Sequence, residues 1–226
     1  MISSLNFIPV AFIASIFPIT SRLFLSSKDS LIFTCERSSK YLFLFGVFIG
    51  TIVTILSDEI VKFIFGEGYS ESSIVLKIIV WAEVLFFVNF AFKNLLNSIN
   101  KQIIVALQSA LCMIFNILAN LILIPGYSYL GASVVLLMTE FIAFVFLFVW
   151  IAMSEYRIPM LNVIKILLMI PIVSILISYQ HNIVISITIS LILYILLIYI
   201  FKIIDDIDVK LIKQILKSSN IYENEL

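Results

Sequence analysis

Six stretches of this chain are apolar for about as long as a bilayer is thick. They fall at residues 41–63, 74–97, 103–124, 129–153, 160–179 and 183–203. A helix rises 1.5 Å per residue, so about 20 such residues cross a hydrocarbon core of ~30 Å. The rest of the sequence gives these runs no other place to go. The chain is 62% hydrophobic and 12% charged, with a mean hydropathy of +1.19, whereas a soluble domain carries about a quarter charged residues. A chain of this length cannot hide so much apolar surface in one globular core, so most of it must face lipid. The expected fold is all-α, a polytopic transmembrane helix bundle of about six full spans.

A seventh apolar run, residues 5–19, is shorter. No Lys or Arg precedes it, as a signal peptide would require. It holds Pro9 and Pro18, which membrane helices tolerate better than soluble ones. It is expected to be a truncated N-terminal helix, the tail of a longer one.

The charges of the intervening segments test this map. Residues 21–40 hold Arg22, Lys28, Arg37 and Lys40, and the next loop, 66–72, holds no basic residue. Lys101 lies in the turn 98–102, none in 126–128, Arg157 and Lys165 in 154–165, and none in 180–182. The tail carries Lys202, Lys210, Lys213 and Lys217. Basic loops therefore alternate with non-basic ones, as the positive-inside rule requires. This places the protein in the cytoplasmic membrane with its C-terminus on the cytoplasmic side. Residues 1–203 form the membrane part, and 204–226 a cytoplasmic tail. In that tail Ile204, Ile207, Leu211 and Ile215 share one helical face, and the lysines 210, 213 and 217 another. Such a segment is either an amphipathic helix on the anionic inner leaflet or a solvated tail.

Several function classes drop out. The net charge is zero, which argues against a nucleic-acid partner. Cys35 and Cys112 form no disulfide framework, and no Cys/His cluster suggests a metal; no cofactor is expected. His181 lies alone in a short loop and reads as an ordinary surface residue. The longest internal loop, residues 19–40, carries no histidine and no matching carboxylate pair, so an enzyme is not expected.

Polar residues inside the runs are the candidate functional groups. A charge at mid-membrane costs about 2.5–3.5 kcal/mol on insertion scales. Glu83 and Glu140 both lie near the centres of their runs. Either they line a water-filled cavity and take part in coupling, or they stand protonated and hydrogen-bonded between helices; intramembrane ionisable groups are functional candidates by default. Lys77 and Lys93 lie nearer the ends and can snorkel. Asp58 and Lys62, spaced i, i+4, are expected to pair at the interface. Asn116 and Asn120 share one helix face and need a protein or water neighbour, with polar packing between helices as their expected role. That helix stops at Pro125-Gly126. The next begins near Gly131-Ala132-Ser133, whose small side chains permit close approach, so the two should form an antiparallel hairpin.

These features together resemble a known family. Residues 65–102, "FGEGYSESSIVLKIIVWAEVLFFVNFAFKNLLNSINKQ", and 114–146, "IFNILANLILIPGYSYLGASVVLLMTEFIAFVF", are similar to the C-terminal lobe of polysaccharide flippases of the MATE-like transporter superfamily. The matching positions are Phe65-Gly66, Tyr69, Leu95-Leu96, Asn100-Lys101, Asn116, Asn120, Ile124-Pro125 and Gly131-Ala132. Residues 7–23, "FIPVAFIASIFPITSRL", resemble the family's helix ending in a Phe-Pro-x-x-Ser signature. The resemblance implies export of lipid-linked oligosaccharide or polysaccharide precursors across the cytoplasmic membrane by alternating access between two lobes. It also implies that this chain begins inside the second helix of the second lobe, with the N-terminal lobe missing. The partners it implies are membrane lipids, a lipid-linked oligosaccharide and a separately encoded N-terminal lobe. The alternatives are a non-transporting membrane subunit or scaffold, the remnant of a broken transporter gene, and a membrane enzyme of polysaccharide synthesis.

Overall fold

A computed structural model of the chain describes residues 5–69, 71–158, 165–166, 183–201, 203–205 and 208. The described residues form helices and turns and no strand. The chain divides into two compact units, Met1–Val163 and Ile164–Leu226. The first contains α1 (Phe7–Ser26), α2 (Lys28–Ile55), α3 (Ser57–Phe65), a 3-10 turn at Glu67–Tyr69, α4 (Ser72–Ser98) and α5 (Gln102–Met153). The second contains α6 (Ile183–Ile200).

Four helices of the first unit, α1, α2, α4 and α5, are long and apolar enough to cross a membrane. The fourth needs explanation. A straight helix of 52 residues would run ~78 Å, over twice the thickness of the core. Yet Asn116 Nδ2 lies 3.0 Å from Thr139 Oγ1, 23 positions away, a separation of ~34 Å along a straight helix. The chain must reverse between them. It does so at Ser128, whose φ of 51° and ψ of −129° are not helical. The expected hairpin is present, with its two halves antiparallel. Gly131 lies so close to Leu123 across the turn that a Cβ there would stand 2.7 Å from the Leu123 carbonyl oxygen.

Two expectations are corrected. Residues 21–40, read as a loop, are helical apart from Ser27. Ser27 is extended (φ −158°, ψ 108°) and caps α2 by accepting from the Ser30 amide. One residue thus turns the corner, and hydropathy cannot see it, because polar side chains are compatible with helix outside the hydrocarbon. The helix of the N-terminal run accordingly extends past residue 19, to Ser26. It is a helix of 20 residues that continues through Pro18. Likewise the span expected at 41–63 breaks at Leu56. There Thr54 and Ser57 hydroxyls bond to Gly50 and Thr54 carbonyls at 2.7 and 3.0 Å, competing with the backbone ladder. Asp58 and Glu59 then favour the start of α3 through its dipole. Of the remaining expected spans, 74–97 corresponds to α4, 103–124 and 129–153 to the two halves of α5, and 183–203 to α6. Most of the run 160–179, His181 and most of the tail lie outside the described residues.

Residue pairing gives the order of packing. Thr20 meets Ser98 at 2.7 Å, so α1 runs parallel to α4. Gly46 and Gly50 of α2 lie against Phe87, Val84 and Trp81 of α4, so α2 runs antiparallel to it. Asn89 meets Glu140, and Phe92 stacks on Phe144 at 6.1 Å, so the second half of α5 is parallel to α4. Helix α4 is therefore the central element, and Phe87, Val88, Phe92, Leu95 and Leu96 on it are fully enclosed. At one end of the bundle Tyr129 donates to Glu71 at 2.6 Å, and at the other Lys28 pairs with Glu155 at 3.1 Å.

The α1–α2 corner projects past this bundle. Thr20 is level with Ser98, and the six further residues of α1 reach ~9 Å beyond it. Arg37 and Lys40 are buried on α2. Arg37 lies 4.9 Å from the Phe33 ring and Lys40 5.3 Å from the Tyr41 ring, distances at which a cation is attracted to an aromatic face. The expected Asp58–Lys62 pair is also corrected. Asp58 bonds to Lys77 at 3.0 Å and Lys62 to Glu67 at 2.6 Å.

The turn between α4 and α5 follows from Asn100. Its φ of 59° is a left-handed conformation that asparagine tolerates better than most residues. The Lys101 amide then reaches back to the Leu96 carbonyl at 2.8 Å, the six-to-one bond of a Schellman ending.

Candidate functional site

The polar residues of the first unit gather along α4 and the α5 hairpin. On the first half of α5, Gln108, Cys112, Asn116 and Asn120 recur every four residues and so form one stripe. Gln108 donates to the Cys112 sulfur at 3.0 Å, and that thiol lies 3.6 Å from the Thr139 carbonyl. Asn116 donates to Thr139 Oγ1 at 3.0 Å, and Asn120 donates to Asn116 Oδ1 at 3.0 Å. Thr139 in turn donates to the Val135 carbonyl at 2.7 Å. The two asparagines thus lie within a hydrogen-bonded chain joining the two halves of the hairpin.

Glu140, adjacent to Thr139, turns the other way. Asn89 of α4 donates to both its backbone carbonyl, at 3.0 Å, and its carboxylate Oε2, at 2.8 Å. Asn89 is completely enclosed. Glu83, on the same helix, is within electrostatic range of Glu140. Its Oε2 is buried and has no hydrogen-bond partner among the described residues. Lys93, one turn beyond Asn89, is also within electrostatic range of Glu140. The two carboxylates singled out in the sequence, 57 positions apart in the chain, therefore belong to one neighbourhood on facing helices.

Sequence reasoning missed Asn89, Asn94, Gln108 and Thr139. Asn89, Asn94 and Gln108 are among the buried polar residues. The signal was available, since Asn89, Lys93 and Asn97 recur every four residues on an otherwise apolar helix. Counting charges alone passes over it.

At the end of the bundle that carries Tyr129 and Glu71, Asp58 lies on α3, outside the membrane-crossing helices. Hydrogen bonds from Ser73 and Lys77 hold its carboxyl below the usual range. They tether α3 to the start of α4.

Comparison with known proteins bears on the fold. A solved structure of the lipid II flippase MurJ, in an inward closed conformation, matches 89% of this chain with a TM-score of 0.69 at 16% identity. The chain shares its fold with a flippase. It spans 45% of that protein. A capsular polysaccharide biosynthesis protein, CapF from Staphylococcus aureus, is 28% identical over 123 residues, covering 52% of this chain and 31% of that protein. The chain thus spans about a third of the relative's length. No family model matches the sequence. The protein is a membrane-embedded helical bundle with the architecture of part of a flippase, and the resemblance read from the sequence is supported at that level.

Proposed function

We propose that this chain contributes the C-terminal lobe of a transporter that exports a lipid-linked oligosaccharide or polysaccharide precursor across the cytoplasmic membrane. The observation that carries this reading is the fold likeness to a flippase across 89% of the chain. The sequence likeness to a capsular polysaccharide protein supports the glycan as the cargo class. Alternating access moves one lobe against another about a site near the membrane midplane. In this reading residues 1–203 supply the lobe and 204–226 a tail on the cytoplasmic side. The partners are membrane lipids and the lipid-linked glycan.

Glu83 and Glu140 are the groups assigned to the cavity and to coupling, with Asn89 positioning Glu140. The buried Glu83 oxygen without a protein partner supports this, because a carboxyl oxygen enclosed without a donor is costly unless a proton, ion or water meets it. Asn116, Asn120 and Thr139 are assigned to holding the hairpin together.

The test is glycan export in a strain carrying the complete transporter. Glu83→Gln and Glu140→Gln keep shape and most hydrogen bonds, so each should reduce export at least tenfold while protein abundance in the membrane is unchanged. Normal export by both variants would remove the carboxylates from the mechanism. Normal export on deletion of the whole chain would leave a scaffold without a transport role.

A further inference from the structure

Helix α3 has 9 residues, far too few to cross a membrane, and its sides differ. At ~100° per residue, Ile60, Phe63 and Ile64 share one face, and Asp58, Glu59 and Lys62 the opposite one. Ser57 and Val61 are buried, and α3 packs on α4. The apolar face is left open. Phe63 is 92% exposed and Ile64 48%, with Ile60 half-buried beside them. Phe65 and Tyr69 are exposed too, their rings 6.1 Å apart across the turn at Gly66.

Two independent observations set the depth of this face. Tyr129 donates to Glu71, so the turn of the α5 hairpin lies level with the start of α4. Tyr127 and Tyr129 are exposed there. Exposed tyrosines at the end of a membrane bundle mark the headgroup region, where their amphipathic rings settle. Asp58 accepts hydrogen bonds from Ser73 and Lys77. Those residues lie ~1.5 and ~7.5 Å along α4 from Ser72, so α3 begins on the membrane side of the tyrosine level. Its open phenylalanine is at the depth of lipid, not of water. Charge narrows the choice of occupant further. Asp58, Glu59 and Glu67 set three carboxylates against the one ammonium of Lys62, which repels a polyanion. The Lys62–Glu67 pair is well exposed, so the charges have a wet side of their own.

We propose that α3 and the turn after it form an interfacial anchor, seated in the outer leaflet in the expected topology. Ile60, Phe63 and Ile64 enter the boundary between acyl chains and headgroups. Phe65 and Tyr69 lie at headgroup depth, and Asp58, Glu59, Lys62 and Glu67 point towards water. The partner is the lipid surface, held by apolar burial and not by headgroup charge. A short amphipathic helix with this division of faces lies in the plane of the interface. Because Asp58 ties α3 to α4, the anchor also fixes the depth of α4, the helix that carries Glu83 and Asn89. The inference stands apart from the proposed cargo, since it needs a membrane but no glycan.

The test uses the full chain in phosphatidylcholine nanodiscs, with a nitroxide label on Phe63→Cys, Ile64→Cys or Glu59→Cys. Cys35 and Cys112 are buried, and wild-type protein carried through the labelling sets the background. Phe63 and Glu59 are exposed, so a label at either displaces no packed side chain. Spin relaxation is measured with oxygen, which concentrates in lipid, and with a water-soluble nickel chelate. The ratio of oxygen to nickel collisions should be several-fold higher at 63 and 64 than at 59. Replacing a third of the lipid with phosphatidylglycerol should leave these ratios unchanged. Nickel-dominated relaxation at 63 would put α3 in water and overturn the anchor. Shielding of 63 from both reagents would mean that a protein surface, such as a second copy, covers the face, and would overturn it equally. Entry of 63 into lipid only with phosphatidylglycerol present would overturn anchoring by apolar burial.

Discussion

A single methyl group at position 131 probes the α5 hairpin directly. The Cβ of Gly131→Ala would lie 2.7 Å from the Leu123 oxygen, 2.9 Å from its carbonyl carbon and 3.2 Å from Tyr127 Cβ. Ordinary C···O contacts between helices begin at about 3.3 Å, so the two backbones must part by roughly 0.6 Å. The obstructing atoms at Leu123 are backbone and cannot rotate aside. Overpacking of this kind costs about 1–3 kcal/mol. Alanine also gains helix propensity over glycine, by up to about 1 kcal/mol, which would mask part of the effect. Gly126→Ala supplies the control, because a Cβ there meets nothing within 4 Å. The difference between the two alanine variants should therefore be about 1–3 kcal/mol, with Gly131→Ala the less stable. Equilibrium unfolding in mixed micelles, followed by helical circular dichroism, measures it. Equal stability of the two variants would refute the close approach of residues 123 and 131, and with it the reversal at Ser128.

Three further outcomes are expected. Asn89→Leu removes both donors to Glu140 and should cost about 0.6–1.7 kcal/mol by the same unfolding measurement, the range for hydrogen bonds between membrane helices; no loss would mean that these bonds contribute nothing net. Acidification should release α3. Asp58 has a lowered pKa in the folded state, so its contribution is present above the ordinary aspartate value of about 3.9 and is lost as pH falls through the lower folded value; amide exchange of residues 57–65 should rise there in wild type and be pH-insensitive in Asp58→Asn. For topology, a cysteine at Gly68 should react with an impermeant reagent from outside, and one at Ser27 should not; the reverse pattern would invert the bundle.

Hydropathy made much of this fold legible, because lipid as a solvent leaves few options for long apolar runs. Helix α4 and the two halves of α5 fall where apolar length puts them, although the first half runs on through Pro125-Gly126, where the sequence was read as stopping it, and turns only at Ser128. The corner at Ser27 and the break at Leu56 were not legible, since each turns on one or two hydroxyl groups choosing a backbone partner. Polarity misled at residues 21–40, where charge marks distance from the hydrocarbon rather than loss of helix. Glu83 and Glu140 were visible as charges, but their common neighbourhood depends on the pairing of α4 with the second half of α5. Asn89 and Asn94 were passed over because they carry no charge, although a buried amide also needs hydrogen-bond partners.

The most direct test of the proposed function is translocation in proteoliposomes. Vesicles carrying a lipid-linked oligosaccharide on the lumenal leaflet are reconstituted with this chain together with an N-terminal lobe, with this chain alone, or with the N-terminal lobe alone. Appearance of the glycan outside is followed by a membrane-impermeant glycosidase. The account predicts translocation only when both lobes are present, and its loss with Glu83→Gln. Translocation by the N-terminal lobe alone, at the rate of the pair, would contradict it.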